Sequence, residues 1–295
     1  MKKAYFKYIA ALLLFGTNGV VASYISLSSY EIVFLRTMIG SLLLLLIFIL
    51  TKGKLTFVKK KRQFLSLAVS GLALGTSWIF LYEAYQQIGV SFASLAYYCG
   101  PVIVMILAPL LFQERLTFTK VIGFLAVLFG IFLVNGQLTE SGTNQWGLFC
   151  GAMSAVMYAI MVIFNKKAKD ITGLENSMLQ LMVSFITVTI FVTCKKGLII
   201  SIAASDVLPV LVLGLLNTGI GCYLYFSSIG RLDVQTVAIC GYLEPLSAVL
   251  FSVLFLKEGM SLIQVIGAVF ILSGAVFGEL FTLGTIKTKL MTQNN

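Results

Sequence analysis

Ten apolar stretches, each about as long as a bilayer is thick, leave this chain few ways to fold. A helix rises 1.5 Å per residue, so about twenty apolar residues cross a hydrocarbon core about 30 Å thick. The stretches lie near 5–24, 32–51, 64–86, 91–112, 119–136, 146–165, 173–194, 206–227, 233–256 and 261–281. Lipid cannot satisfy bare backbone N–H and C=O groups, so a spanning chain must be helical or close into a barrel. Long unbroken apolar runs fit helices, not the alternating strands of roughly ten residues that build barrels. A soluble alternative fails on surface: 11% of residues are charged, against about 25% in soluble domains. The expected fold is an all-α polytopic membrane protein of ten transmembrane helices. The start, MKKAYFKYIAALLLFGTNGVV, lacks a small-x-small cleavage site and reads as the first span, not a cleaved leader.

The links are short. SSYE at Ser28–Glu31, QQIGVS at Gln86–Ser91 and GRLD at Gly230–Asp233 leave room only for antiparallel neighbours. Lysine and arginine set orientation. With the N-terminus inside, the cytoplasmic links hold Lys2, Lys3, Lys7, the Lys52–Arg62 cluster, Arg115, Lys120, Lys166, Lys167, Lys169, Arg231, Lys287 and Lys289. Lys195, Lys196 and Lys257 fall outside, and the Lys195–Lys196 pair runs against the bias. Both termini are therefore expected in the cytoplasm of a plasma-membrane protein. The same bias accounts for the net charge of +10 without nucleic acid, which would need a basic stripe interleaved with aromatics on a soluble domain. Five cysteines without a CxxC, and no histidine, argue against a zinc site or a disulfide framework.

The chain also repeats itself. GPVIVMILAPLLFQERLTFTKVIGFLAVLFG, residues 100–130, shifted by 144 meets EPLSAVLFSVLFLKEGMSLIQVIGAVFILSG, residues 244–274. Pro101 falls on Pro245, Glu114 on Glu258, Gly130 on Gly274, Gly75 on Gly219 and Glu31 on Glu175. The expected units are 1–136 and 146–281, each of five helices, followed by a short polar cytoplasmic tail, 282–295. An odd number of spans per unit makes the second unit enter from the opposite face, an inverted repeat. That design recurs in secondary transporters, with the substrate near mid-bilayer between the repeats.

The twin halves, each with a proline-bearing span, an acidic turn and a Gly-rich span (Pro101…QER…VIGFLAVLFG and Glu244-Pro245…LKE…VIGAVFILSG), carry a resemblance. The chain resembles ten-helix members of the drug/metabolite transporter superfamily, EamA-type branch. Arg36 in FLRTMIG also resembles the family pattern, whereas its counterpart in the second half is Gln180. The resemblance implies transport of amino acids, amines, nucleotide conjugates or other metabolites, with a lean toward export.

Ionisable residues inside spans are costly and face the interior or a wet path. Arg36, Glu83 and Glu244 are such residues. Pro245 removes a backbone donor and bends its helix, which places a carboxylate beside freed carbonyls near Ala238–Gly241. Glu244 would then meet a positive or hydrogen-bonding group, or stay protonated against a neighbouring carbonyl. Arg36 would either brace Glu83 or fork onto a substrate carboxylate. Trp78, Tyr82, Tyr85, Tyr97, Tyr98, Tyr158, Tyr223, Tyr225 and Tyr242 crowd these acids, and rings around a carboxylate can hold an ammonium; many such rings are only interface or packing residues. Asn18 and Asn217 add uncharged donors. The candidate substrate-binding set is Glu244, Arg36, Glu83, Trp78, Tyr82, Tyr85, Tyr98, Asn18, Asn217, Tyr223 and Tyr242. Pro101, Pro245, Gly75 and Gly219 are candidate hinge or gate positions.

The function expected is a secondary transporter of a small polar or zwitterionic solute by alternating access, with protons as a candidate coupling ion and no cofactor or metal. The protein is expected as a monomer or weak dimer in the bilayer. A passive channel, a membrane enzyme and a non-transporting receptor stand as alternatives. The enzyme lacks a histidine, a metal cluster and any nucleophile beside a recognisable base.

Overall fold

A computed structural model describes residues 2–114, 117–135, 144–197, 200–257, 261–263, 265–274 and 276–277. Glu258, Arg115 and the tail 282–295 lie outside the described residues. Every extended element is helical: α1 (Lys2–Gly16), α2 (Asn18–Ala22), α3 (Ser29–Leu50), α4 (Lys61–Tyr97), α5 (Gly100–Phe112), α6 (Phe118–Asn135), α7 (Gln145–Lys167), α8 (Gly173–Lys196), α9 (Ala204–Val212), α10 (Gly221–Ile229), α11 (Val234–Gly241) and α12 (Leu243–Leu256). A final helix, α13, runs over Val265–Gly274. Among the described residues, seven stretches are long and apolar enough to cross a bilayer: Lys2–Ala22, Ser29–Leu50, Lys61–Ile88, Gln145–Lys167, Gly173–Lys195, Ala204–Ile229 and Val234–Phe255. Gly100–Phe112, Phe118–Leu133 and Val265–Gly274 are apolar and shorter over the residues described. Each of the ten expected stretches thus holds one of these helices.

One of the short helices has a clear cause. The backbone stays helical through Lys61–Tyr97, yet its path reverses near residue 90. Ser70, Ser77 and Gln87 meet Met161, Ser154 and Asn144 of the α7 region in descending order. Beyond the reversal the order ascends: Ala96 packs at Gly151, and Gly100 packs at Ala155 and Tyr158. The expected link at Gln86–Ser91 is a bend in a continuous helix. The returning arm breaks again at Tyr98–Cys99 before α5 begins with Gly100 and Pro101. An equivalent break at Tyr242 separates α11 from α12, with Pro245 in the first turn of α12. Tyr98 and Tyr242 are 144 residues apart, and they touch: the Tyr242 hydroxyl donates to the Tyr98 carbonyl at 2.7 Å.

Polar contacts sort the links to two ends of the bundle. At one end, Glu175 accepts from the backbone N–H groups of Thr56 and Phe57 at 2.6 and 2.9 Å, and Lys60 pairs with Asp170 at 2.8 Å. Lys7 donates to Ser227 at 3.3 Å, and Glu114 accepts from the Val234 N–H at 2.8 Å. At the opposite end, the Ser26 N–H donates to Asp206 at 3.3 Å, and Glu31 accepts from the Ser28 N–H at 2.8 Å, which fixes the start of α3. The first of these we term the basic end, since the Lys52–Arg62 and Lys166–Lys169 runs both lie there.

Helices pack most closely where glycine removes the side chain. A Cβ on Gly130 of α6 would lie 2.5 Å from the Gly267 carbonyl of α13, and a Cβ on Gly274 would lie 2.5 Å from the Gly123 carbonyl. A shift of 144 residues exchanges these two contacts. It likewise exchanges the approach of Gly75 to Ser184 with that of Gly219 to Gly40.

Gly130→Ala is therefore expected to lower the melting temperature of the detergent-solubilised protein, at a cost of about 1–3 kcal/mol for overpacking. Gly19→Ala, where nothing lies within 4 Å, should leave the melting temperature level or raise it. Equal behaviour of the two variants in a thermal melt would contradict the close crossing.

Candidate functional site

The bundle encloses a central cavity where its helices are least regular. Phe15 and Asn18 flank the break between α1 and α2, Tyr97 precedes the break before α5, and Glu244 follows the break at Tyr242. The Ala204–Ile229 span widens to π-helical turns over Leu213–Ile220, a departure that often marks functional sites. Thr218, inside those turns, bonds its hydroxyl to the Leu213 carbonyl at 2.8 Å and receives Arg36 Nε at 3.0 Å. Arg36 also reaches the Tyr82 hydroxyl at 3.5 Å and lies over the Trp78 ring at 4.8 Å. Its guanidinium is thus fixed by a hydroxyl, a phenol and an aromatic face, with only 4% of the residue exposed.

Arg36 and Glu244 line the same cavity. Among the described residues the ion pairs are Lys60–Asp170 and Lys195–Glu83; neither includes Arg36 or Glu244. A guanidinium and a carboxyl group thus face a shared space without closing on each other. The rest of the wall is apolar or phenolic, and it includes Leu74, Tyr97, Tyr158, Met161, Tyr225 and Phe226. The Tyr158 and Tyr225 hydroxyls lie 3.3 Å apart. The cavity has a volume of about 50 Å³. That is room for a few waters, and an amino acid would need the walls to part.

The expected site residues scatter more widely than the sequence suggested. Arg36, Trp78, Asn18 and Glu244 line the cavity. Asn217 stands behind it, donating to Leu14 O, Thr17 Oγ1 and Asn18 Oδ1 at 3.0, 2.8 and 3.0 Å, and so holds the α1–α2 break in place. Tyr82 steadies Arg36, and Tyr85 packs edge-on against Tyr82 with ring centroids 5.3 Å apart. Tyr98 and Tyr242 form the contact between the two broken spans. Tyr223 sits toward the basic end under Lys7, whose amino group is 4.7 Å from the ring centroid. Pro101 and Pro245 lie in the first turns that follow the two breaks, while Gly75 and Gly219 mark close helix crossings.

Glu83 departs from its expected place. It does not brace Arg36 but pairs with Lys195 at 3.1 Å and accepts from the Trp146 indole at 3.3 Å. These residues wall a separate pocket at the opposite end. Lys195, which runs against the charge bias in sequence, thus has a local carboxylate. Sequence reasoning counted Tyr97, Tyr158 and Tyr225 among the surrounding rings without assigning them to the site. It gave no site role to Phe15, Leu74, Met161, Cys222 or Phe226, because an apolar residue facing a cavity reads like one facing another helix. Among the described residues no group of three or more His, Cys, Asp or Glu stands together as a metal site.

Comparison with known proteins extends over the whole bundle. An uncharacterized transporter of Bacillus subtilis, YxxF, is 24% identical over 92% of this chain and 88% of its own length. An uncharacterized transporter of Archaeoglobus fulgidus is 25% identical over 91% of this chain and 93% of its own. The inner membrane transporter YhbE of Escherichia coli, also uncharacterized, is 24% identical over 75% of this chain and 73% of its own. A solved crystal structure superposes with a TM-score of 0.81 at 20% identity, covering 94% of this chain and 98% of that one, which shows a shared fold. The EamA-like transporter family model matches twice, over residues 2–136 and 145–278, and the chain belongs to that family of membrane transporters.

Proposed function

We propose that the protein is a secondary transporter of zwitterionic metabolites, amino acids or closely related amines, working by alternating access around the central cavity. One observation carries the reading: Arg36 and Glu244 line the same cavity, and among the described residues neither is ion-paired. A solute with a carboxylate and an ammonium would satisfy both charges at once. The planar guanidinium, held edge-on by Thr218, suits the carboxylate. Glu244, among the Tyr97 and Tyr158 rings, suits the ammonium. Desolvating either charge alone is costly, so a neutral pair of opposite charges is the solute this wall tolerates best.

The inverted repeat supplies the mechanism. Two matches of one family model on one chain support the division into halves, and contacts that exchange under the 144-residue shift support a two-fold relation between them. In this reading the first half spans 1–136 and the second 146–281. The α4–α5 and α11–α12 breaks, touching through Tyr98 and Tyr242, are the pivot on which one half rocks against the other. Pro101 and Pro245 keep the breaks open, and Gly75 and Gly219 let helices slide. The basic end faces the cytoplasm by the positive-inside rule, in a plasma membrane, with export as the working direction. Glu244 can exchange its bound ammonium for a proton, which would couple flux to a proton gradient.

Two measurements test this reading. A panel of free amino acids should raise the melting temperature of the purified protein, while the corresponding N-acetyl acids and methyl esters, each lacking one charge, should not. Arg36→Gln and Glu244→Gln should each weaken the effect about tenfold or more, equivalent to about 1.4 kcal/mol; stabilisation that survives both substitutions would sink the zwitterion site. In proteoliposomes an imposed pH gradient should drive uphill flux in the wild type and not in Glu244→Gln. Gradient-driven flux in that variant would remove the proton role from Glu244.

A further inference from the structure

Two consecutive residues of the π-helical turns each hold one side chain of the central cavity. Thr218 holds Arg36, and Asn217 holds Asn18. Arg36 and Asn18 line the cavity, whereas Asn217 and Thr218 are 2% and 0% exposed and stand outside its wall. The buried pair therefore does not meet the solute. It decides which atoms of Asn18 and Arg36 are left to meet it.

The chemistry of the partners fixes the direction of each bond. The Leu14 carbonyl can only accept, so the Asn217 atom 3.0 Å from it is the amide nitrogen. The Thr17 hydroxyl gives its own proton to that carbonyl at 2.7 Å, and so it meets Asn217 as an acceptor too. An amide nitrogen facing Asn18 requires Oδ1 there, which leaves Asn18 Nδ2 as the free edge. Thr218 works in the same way. Its proton goes to the Leu213 carbonyl, so it offers a lone pair to Arg36 Nε; Nη1 reaches the Tyr82 hydroxyl, and Nη2 remains. Among the described residues neither Asn18 Nδ2 nor Arg36 Nη2 has a protein partner. The polar side-chain atoms there that are buried without a partner are Asn165 Oδ1, Ser184 Oγ and Gln235 Oε1. The two nitrogens are not among them and so keep accessible surface.

We infer that Asn18, presenting Nδ2 to the cavity, makes the site select a carboxylate over the carboxamide of the same shape, and that Asn217 is the residue that positions it. The inference rests on the zwitterion reading of the central cavity and specifies the anionic end of the solute. A carboxylate offers an acceptor to Arg36 Nη2 and another to Asn18 Nδ2. A primary amide must turn its own N–H toward one of them, which sets donor against donor and leaves both unpaired. Asn18 thus touches the solute, and Asn217 acts only through Asn18. An acceptor placed at position 217 would reverse the preference from behind the wall, because Asn18 would turn its nitrogen to that acceptor and its oxygen to the cavity.

The probes are the free proteinogenic amino acids and their primary amides, titrated against the purified full-length protein in a thermal melt. For the amino acid that stabilises the wild type most, the acid should bind about tenfold or more tightly than its amide, equivalent to about 1.4 kcal/mol. Asn18→Leu, close in size and without donors, should narrow that gap, and Asn18→Asp should reverse it. Asn217→Asp should also bring the amide level with the acid or past it, and Asn217→Ala, which releases Asn18, should narrow the gap. A merely structural role for Asn217 would weaken acid and amide by the same factor. Two variants at each position keep the test open where one of them fails to melt cooperatively. A wild-type gap retained at either position overturns this inference and leaves the zwitterion site standing. Failure of every free amino acid to stabilise the wild type overturns the zwitterion reading and this inference with it.

Discussion

No backbone group inside the hydrocarbon can be left for water to satisfy, and this structure is organised by how it meets that demand wherever its helices fail. The Tyr98 carbonyl, at the break before α5, takes the Tyr242 hydroxyl. Asn217 bonds the Leu14 carbonyl beside the α1–α2 break, and the Tyr8 hydroxyl bonds Val237 in α11 at 2.7 Å. In the π-helical turns Thr218 bonds Leu213. Each irregularity is closed by a side chain from elsewhere in the bundle or from the same turn. The breaks are therefore affordable only in the interior, and the cavity forms where they gather.

The same logic governs charge. Arg36 is held by neutral groups and an aromatic face instead of a carboxylate, so its positive charge stays available to the cavity. Glu83 does not neutralise it and is drawn instead to Lys195 at the end of the bundle. Had the two paired, Glu244 would face an electrically silent wall. The contrast with the second half is instructive. Gln180, at the position that matches Arg36, donates to Ser70 at 2.8 Å and accepts from Asn165. Position 180 thus serves helix packing, whereas position 36 serves the cavity.

Much of this architecture was legible in the sequence, because apolar length and proline placement are local signals. The all-helical membrane fold and the placement of Pro101 and Pro245 read directly. Length misled where a span is assembled from two pieces: the run at 91–112 looks continuous, yet it breaks at Tyr98–Cys99. The Arg36–Glu83 alternative arose because depth along a helix can be read and rotation about the bundle cannot. Lys195 is 112 positions from Glu83, and nothing in composition joins them. The apolar lining of the cavity was invisible for a related reason. Met161 and Leu74 belong to amphipathic patterns identical in kind to those that bury side chains against a neighbouring helix.

The crossing of α6 with α13 carries a consequence for the shape of the contact. Gly123 and Gly130 on one helix meet Gly267 and Gly274 on the other, and each helix holds both members of the pattern. The contact is self-complementary. A methyl group added at residue 130 and one added at residue 274 would therefore run into the same obstacle, a glycine carbonyl on the facing helix, so neither helix can relieve the crowding by yielding alone.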